Sequence, residues 1–524
     1  MIATCGSDFD IILIGGEPYA DHPLSGVGLI ARVLDAVGYR VGVIGRPDWR
    51  RDEDFCKLGR PRLFFGITSG AIDSLLVNYT PLKRERAKDP FAPYCSGMPD
   101  RAILVYSNKI RHLFPGSIIV IGGVEASLRR FGHYDYWQNR VRRSLLVDSR
   151  ADLLVYGPGE LQIIEIARRL EQGQDLDGIA GTCIIGSKIP AGFQLLPSFE
   201  EVCEHPQAFC QAQNLFSNQR NLAQAHANRF VLQYRMPAYR PQDLDWIYSL
   251  PFSRKIPAEF PQLAMARFSV VTHRGCFGSC SFCSLALHQG TRIISRSEES
   301  ILAEIELLAK HPDFKGYIDD LGGPSANMYG LDCRQCETGH CLSCSRRDRS
   351  YQRLINLLQK SRQIQGIKKV FVRSGIRYEL AMESPKYLEE LCHYHLSGCL
   401  KIAPEHVSEK VLSLMNKDGS RLEEFRQLFR QINGRRPQHL KYYFMVAHPG
   451  TGRTEAKELA NALRRLEREG EHNPIEGVQI FTPTPMTRST CMYHTGLDPA
   501  TGKPVFVPRS FAEKKEQKKM LKPR

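Results

Sequence analysis

Cys276, Cys280 and Cys283 lie on one short stretch, RGCFGSCSFC, with three residues between the first two and two between the second pair. A structural zinc site closes its tetrahedron with four protein ligands, and disulfides consume cysteines in pairs. A compact set of three therefore points to a metal centre with one coordination position left open. Three thiolates can hold three corners of a [4Fe-4S] cluster and leave the fourth iron without a protein ligand. The same three could instead recruit His273 or His288 into a Cys₃His zinc site. A second set, Cys333, Cys336, Cys341 and Cys344, forms two CxxC pairs in CRQCETGHCLSC. Four soft donors in one loop fit a closed zinc knuckle and equally an auxiliary iron-sulfur cluster.

Composition bounds the setting of this chemistry. The chain has 524 residues, long enough for two or more domains. It has no apolar run approaching the roughly 20 residues that span a bilayer, so no membrane role is expected. The first residues, MIATCGSDFDIILIGG, place acids rather than a basic segment ahead of the apolar run, which reads as a first strand and predicts a cytoplasmic protein. Most of its 16 cysteines should then remain reduced. The scattered ones, such as Cys183, Cys210 and Cys491, read as small buried hydrophobes. The formal charge of +15 would suit RNA or a phosphate-bearing substrate. The excess is densest in SLRRFGHYDYWQNRVRRS and in AEKKEQKKMLKPR and is otherwise dispersed along the chain.

The elements that must position the cysteines are legible as alternating patterns. Residues 1–170 alternate β-rich runs (FDIILIGG, RVGVIG, RLFFGIT, SIIVIGG, ADLLVYG) with helical stretches, predicting an α/β, Rossmann-like domain with a parallel sheet. Residues 171–262 are richer in Pro, Gln and Asn and read as a connector. Residues 263–500 resume the alternation with six strand candidates: ARFSVVTH, GYIDDL, KKVFVRSG, GCLKIAPE, LKYYFMVAH and GVQIFTP. Six such units predict a partial (β/α)₆ TIM-type barrel with its working residues at the carboxyl ends of the strands, interrupted by a Cys-rich insertion at 331–346. Residues 501–524 read as a basic tail.

With the motif placed after the first strand of that barrel, CFGSCSFC resembles the CxxxCxΦC signature of the radical S-adenosylmethionine (radical SAM) superfamily, with Phe282 at the aromatic position. The resemblance implies that the methionyl amino and carboxylate groups of S-adenosylmethionine chelate the open iron. One electron from the cluster then cleaves the cofactor to a 5′-deoxyadenosyl radical. It also implies a glycine bend after the second strand, here Gly322-Gly323, whose carbonyls receive the cofactor's amino group; Pro324 stands where an acidic residue is usual. Further cofactor contacts are expected at later strand ends. Arg373, Arg377 and Lys401 are candidates for its carboxylate, and Ser374 and Glu405 for its ribose hydroxyls. His448 and the segment 482–485 are expected to line the same mouth.

Longer strings, among them GVEASLRRFGHYDYWQNRVRRSLLVDS, ISRSEESI, DLGGPSANMY, LKIAPEH and FTPTPMTRSTCMYHTG, resemble the YgiQ-type radical SAM proteins over nearly the whole chain. This implies a radical enzyme of unassigned substrate, served by a flavodoxin- or ferredoxin-like electron donor. Cobalamin is a further cofactor that the resemblance allows. However, Asp21-His22-Pro23-Leu24-Ser25-Gly26 replaces the DxHxxG cobalamin signature, so no axial histidine is assigned. The alternatives are an RNA-modifying methylthiotransferase and a zinc-stabilised binding protein.

Overall fold

The computed structural model describes residues 2–86, 97–257, 261–333, 341–434, 436, 438–469 and 475–521. Its first half is built on parallel strands. Ile11–Gly15 lies between Val41–Gly45 and Phe64–Thr68, and Ile119–Ile121 and Leu153–Val155 follow outward from the latter. Every residue of Ile11–Gly15 is buried, as a strand covered on both faces requires. The chain crosses over on one side of this strand to reach Val41–Gly45 and on the other to reach Phe64–Thr68. That reversal opens a crevice at the strands' carboxyl ends, where open α/β sheets bind ligands. The first helix, Gly26–Ala36, is capped by Ser25, whose hydroxyl accepts from the Gly28 amide at 3.2 Å. It approaches the preceding loop so closely that a Cβ on Gly28 would lie 2.6 Å from the Ala20 carbonyl oxygen.

The boundary expected at residue 170 does not end the sheet. The stretch read as a connector contributes Thr182–Gly186, Gln194–Leu195, Leu222–His226 and Arg229–Gln233, completing a ten-stranded mixed sheet. These strands were obscured because they bury amides among the aliphatics. Gln224 accepts the Gly132 amide at 2.7 Å, and Gln233 accepts the Arg130 guanidinium at 2.8 Å. Arg130 is fully buried, and so is Arg129, which pairs with Asp73. Part of the densest basic stretch is therefore internal structure rather than an anion-binding surface. Part of the basic tail is built into the fold. Phe511–Met520 is a helix whose Lys514 is buried against the hydroxyls of Tyr136 and Tyr493, each at 3.0 Å, and whose Gln517 bonds the backbone at Ala447 and Thr451.

The second half follows the expected order of six strand regions. Val270–Val271 pairs with Leu321–Gly322, and Tyr317–Ile318 pairs with Lys369–Val370. Ile376 bridges to Ile402, and Cys399–Glu405, His439–Val446 and Ile475–Ile480 form a parallel triplet. Helices cover the outside. In Glu298–Ala309 the residues Ile301, Ile305 and Leu308 are buried on the core side, the spacing of one helical face. Ser384 caps and Pro385 opens the helix Pro385–Glu390. Among the described residues no helix is long and apolar enough to cross a membrane.

One carboxyl in the loop after the first long strand is out of its usual range. Glu17 accepts the Ala71 amide at 3.0 Å and has no ion pair among the described residues. Burial raises its pKa to about 7, against the lowering effect of that amide. Between its ordinary 4.5 and 7 the folded chain holds a proton that the unfolded chain has released. Stability from this group is thus complete below 4.5 and is lost as pH rises through 7. Glu17→Gln should therefore stabilise the protein at pH 8, by up to roughly 3 kcal/mol, and change it little at pH 4.5. Urea unfolding at the two pH values measures this.

Candidate active site at the cysteine loop

The loop 274–283 is set by backbone geometry before any side chain acts. Gly275 has φ +85°, and a Cβ there would collide with the Arg292 carbonyl, so the turn into Cys276 requires glycine. The Cys276 amide donates to Gly290 O at 3.1 Å and the Cys283 amide to Cys280 O at 3.0 Å. Distant barrel elements hold the far side. Ser281 N donates to Met415 O and Ser489 N to Ser281 O, both at 2.9 Å, and the Asn416 side chain donates to Ser279 O at 2.9 Å. Gly278 leaves room for a cation, since a Cβ there would meet Nη1 of Arg377.

Arg377 gives the loop its electrostatic character. Its Nη1 lies 3.4 Å from Cys280 Sγ, and its other terminal nitrogen pairs with Glu379. Burial opposes its charge, yet Glu379 and Cys280 outweigh burial and hold its pKa above the ordinary arginine value. Asn327 grips its backbone from both sides, accepting Arg377 N and donating to Arg377 O, each at 2.9 Å. Burial raises the pKa of Cys276 and pushes Cys283 up to about 12, so these thiols stay protonated unless a cation replaces the proton. Lys417 and Arg377 both work against that rise at Cys276. Lys417 also donates to Ala403 O and stands 4.0 Å from Glu405 Oε1. Glu405 itself, at the end of Cys399–Glu405, is raised by burial and adds its negative charge to those acting on Cys283.

Among the described residues no three His, Cys, Asp or Glu side chains stand close enough to hold a single metal ion. A cubic cluster asks for something different, one thiolate on each of three irons. The two histidines that might have closed a zinc site are each held through Nδ1 by a hydroxyl outside the cysteine loop. His273 Nδ1 bonds Thr272 Oγ1 and His288 Nδ1 bonds Ser127 Oγ, both at 2.9 Å.

Gly322 and Gly323 form the bend after the second strand. The Gly322 carbonyl already accepts from Thr272 N at 2.9 Å and Oγ1 at 3.2 Å, while that of Gly323 accepts no hydrogen bond among the described residues. Asp320 ties this bend to the next strand end, accepting the amides of Arg373 (2.7 Å) and Ser374 (3.0 Å) and the Ser374 hydroxyl. Gly322, Gly323, Arg373 and Ser374 all border one cavity. Phe282 packs edge-on to His448, with ring centroids 6.3 Å apart. Lys401 is not brought to the cysteines; it lies mid-strand, bonded to Glu476 at 2.6 Å. His448 does not line an open mouth either. It is buried with both ring nitrogens engaged, by Pro449 O at 2.7 Å and Ser489 Oγ at 2.6 Å. Asp320, Asn327, Glu379 and Lys417 were not expected from sequence. Asp320 and Asn327 fall inside DLGGPSANMY, whereas nothing local marks Glu379 or Lys417.

In the second cysteine set Cys336 lies outside the described residues. Cys341 and Cys344 share a turn, with Cys344 N donating to Cys341 O at 3.4 Å. Arg347 fastens it, bonding the carbonyls of Cys341 and Leu342 and pairing with Glu383 at 2.6 Å.

The cavity beside Gly322-Gly323 has a volume of about 800 Å³ and lies between the halves of the chain. One wall comes from the carboxyl edge of the Rossmann-like sheet, including Gly122, Val124 and Gly157; the other comes from the barrel, including Val271 and Leu285. A buried ion pair forms part of its wall. Arg274 donates to Glu160 at 2.7 Å and to Tyr248, while Tyr239 donates to Glu160 at 3.0 Å.

Comparison with known proteins gives this geometry its family. Residues 1–271 match the radical SAM N-terminal model and residues 270–463 the radical SAM superfamily model. A UPF0313 protein of Geobacter sulfurreducens is 44% identical across 98% of this chain and 89% of its own length. One from Methanosarcina acetivorans is 42% identical across 98% and 76%. The chain belongs to the UPF0313 family of radical SAM proteins. As a radical SAM enzyme it has the [4Fe-4S] cluster and S-adenosylmethionine as its superfamily's cofactors. Two solved structures share the fold at low identity. One is the methyltransferase TsrM from Kitasatospora setae with cobalamin and a [4Fe-4S] cluster bound (TM-score 0.52, 17% identical, 92% of this chain and 78% of that one). The other is the cobalamin-dependent enzyme OxsB (TM-score 0.55, 13% identical, 98% and 66%). Both support the two-part architecture of a radical SAM barrel preceded by an α/β domain.

The Glu160–Arg274 pair yields a direct expectation. Glu160→Ala leaves Arg274 charged and buried without its partner. Removing one member of such a pair costs roughly 3–5 kcal/mol, which should appear as a lowered urea midpoint. Surface controls such as Arg50→Ala should leave the midpoint unchanged.

Proposed function

We infer that this protein cleaves S-adenosylmethionine reductively at an iron-sulfur cluster held by Cys276, Cys280 and Cys283, with a corrinoid in the adjoining cavity. The observation that carries the reading is the cysteine loop itself: three half-buried thiols on one glycine-shaped turn, flanked by Arg377 and Lys417, after the first strand of the partial barrel. When bound, the cluster supplies one electron to the sulfonium, giving methionine and a 5′-deoxyadenosyl radical that abstracts a substrate hydrogen. Everything else falls to the chain's own residues.

Arg377 and Lys417 offset the negative charge that three thiolates bring into a desolvated loop. The free carbonyl of Gly323 is the acceptor available for an ammonium group. Arg373, exposed at its strand end over the Phe371 ring, offers a guanidinium to a carboxylate. Asp320 holds the Ser374 hydroxyl and the backbone at Arg373, fixing the lip against which the cofactor would lie. The mainly aliphatic walls of the cavity present few reactive groups to a radical generated beside it.

The cavity supports the second half of the reading. At about 800 Å³ it is at the large end of ligand sites, and it lies at the sheet's carboxyl edge. Gly157 there lets the sheet edge approach the segment carrying His288 closely: a Cβ on it would fall 2.9 Å from His288 O. A corrinoid would place a redox-active cobalt beside the radical chemistry. The reducing electron would come from a small donor of the flavodoxin or ferredoxin class.

Anaerobic reconstitution tests the assignment. The wild type should carry about four irons from this loop, absorb near 400 nm, and form 5′-deoxyadenosine with dithionite and S-adenosylmethionine. Cys276→Ala, Cys280→Ala and Cys283→Ala should each lose the product by at least a hundredfold, with circular dichroism unchanged. A variant that keeps full cleavage overturns it. Iron or zinc beyond that amount reports on Cys333, Cys336, Cys341 and Cys344.

A further inference from the structure

The cavity between the two halves is bordered mainly by aliphatic side chains and glycines, with a smaller polar set that includes His273 and His288. Three histidines lie at or near its edge, and hydrogen bonding separates them. Pro23 stands where the DxHxxG signature would put its histidine, and the neighbouring His22 has both its nitrogens engaged. Nε2 bonds Arg267 O at 2.9 Å and Nδ1 accepts Leu24 N at 3.1 Å. His273 has Gly323 against its ring, bonds Thr272 through Nδ1, and keeps Nε2 covered by protein. His288 differs from both.

Ser127 sets the tautomer of His288. Its hydroxyl donates to Gly123 O at 2.8 Å and accepts Gly157 N at 2.9 Å. With its one proton committed, Ser127 Oγ can only accept from His288 Nδ1, 2.9 Å away. The proton therefore resides on Nδ1, and Nε2 presents a lone pair. That nitrogen has no hydrogen-bond partner among the described residues and is not among the sealed buried atoms, on a residue that lines the cavity. A ring held through one nitrogen by a hydroxyl, with the other unpaired on a residue that lines a cavity, is an arrangement in which proteins deliver histidine to a metal. The position is firm on both flanks: the Leu287 carbonyl accepts Asn218 Nδ2 at 2.9 Å and the Gln289 side chain accepts Gly275 N at 3.4 Å. Burial lowers the ring's pKa to about 4, against the pull of Glu160, so the imidazole is neutral near pH 7.

We propose that His288 is the axial nitrogen ligand to the cobalt of a corrinoid held in this cavity, oriented by Ser127. The inference rests on the reading that the cavity takes a corrinoid, and it supplies the ligand that the altered Asp21–Gly26 segment lacks. It also explains why a polar side chain five residues after Cys283 is anchored to the opposite domain rather than to the cysteine loop.

Cob(II)alamin is the probe. Protein grown with histidine labelled in both ring nitrogens with nitrogen-15, and matching unlabelled protein, would be loaded with hydroxocobalamin, desalted, reduced to cob(II)alamin and examined by electron paramagnetic resonance. The unlabelled protein should show each cobalt line split into a nitrogen triplet, and the labelled protein a doublet. His288→Ala should retain the corrinoid, with that splitting gone. Bound cob(II)alamin without nitrogen splitting, or with splitting that histidine labelling leaves as a triplet, overturns the ligand assignment while leaving the cavity's occupant intact. Failure of the wild type to retain any corrinoid overturns the occupant and the ligand together. Because the labelled wild type carries the decision, poor folding of His288→Ala does not affect it.

Discussion

The structure turns on one buried ion pair. Glu160 begins a helix of the Rossmann-like half, and Arg274 stands two residues before Cys276 in the barrel half; they meet at 2.7 Å with both side chains almost wholly out of solvent. Placing two charges there carries a desolvation cost that their attraction and the added bonds from Tyr239 and Tyr248 must offset. What the pair secures is position. The residue leading into the cysteine loop is tied to the carboxyl edge of the first sheet, so the cavity and the loop share a boundary.

From that tie the rest of the site follows as a balance of burial against charge. The thiols of Cys276 and Cys283 are raised by desolvation, which resists three negative sulfurs in one loop. Arg377 beside Cys280 and Lys417 nearby work in the opposite direction. Each cation is itself restrained, Arg377 by Glu379 and Asn327, Lys417 by Ala403 and Glu405. A loop prepared this way disfavours bare thiolates and favours them once a polycationic metal core shares their charge.

Much of this was legible in the residues, and the division is physical. The cysteine spacing, the glycine bend at 322–323 and the six-strand alternation are local patterns, carried by chain geometry over a few residues. Helix signals were equally direct, as with Ser384 and Pro385 at the start of Pro385–Glu390. The strands between 182 and 233 were hidden because buried Gln224 and Gln233 interrupt the aliphatic pattern while satisfying partners far away. The final helix was hidden because its Lys514 and Gln517 look like surface residues until Tyr136, Tyr493 and the Ala447 amide are brought to them. Lys417 and Glu160 carry no local signal at all, and His288 was marked only by its nearness to the cysteine motif. Their roles exist only through partners more than a hundred residues distant, or, for Lys417, through a fold that returns it to the mouth of the barrel.

The central claim is that one iron of a cluster on this loop has no ligand from the protein. Mössbauer spectroscopy of iron-57-reconstituted protein, with and without S-adenosylmethionine, addresses it most directly. The account predicts that one iron site in four separates from the others when S-adenosylmethionine is added, its isomer shift moving to that of an iron with nitrogen and oxygen ligands. Four sites that remain indistinguishable and unmoved by the cofactor would contradict it.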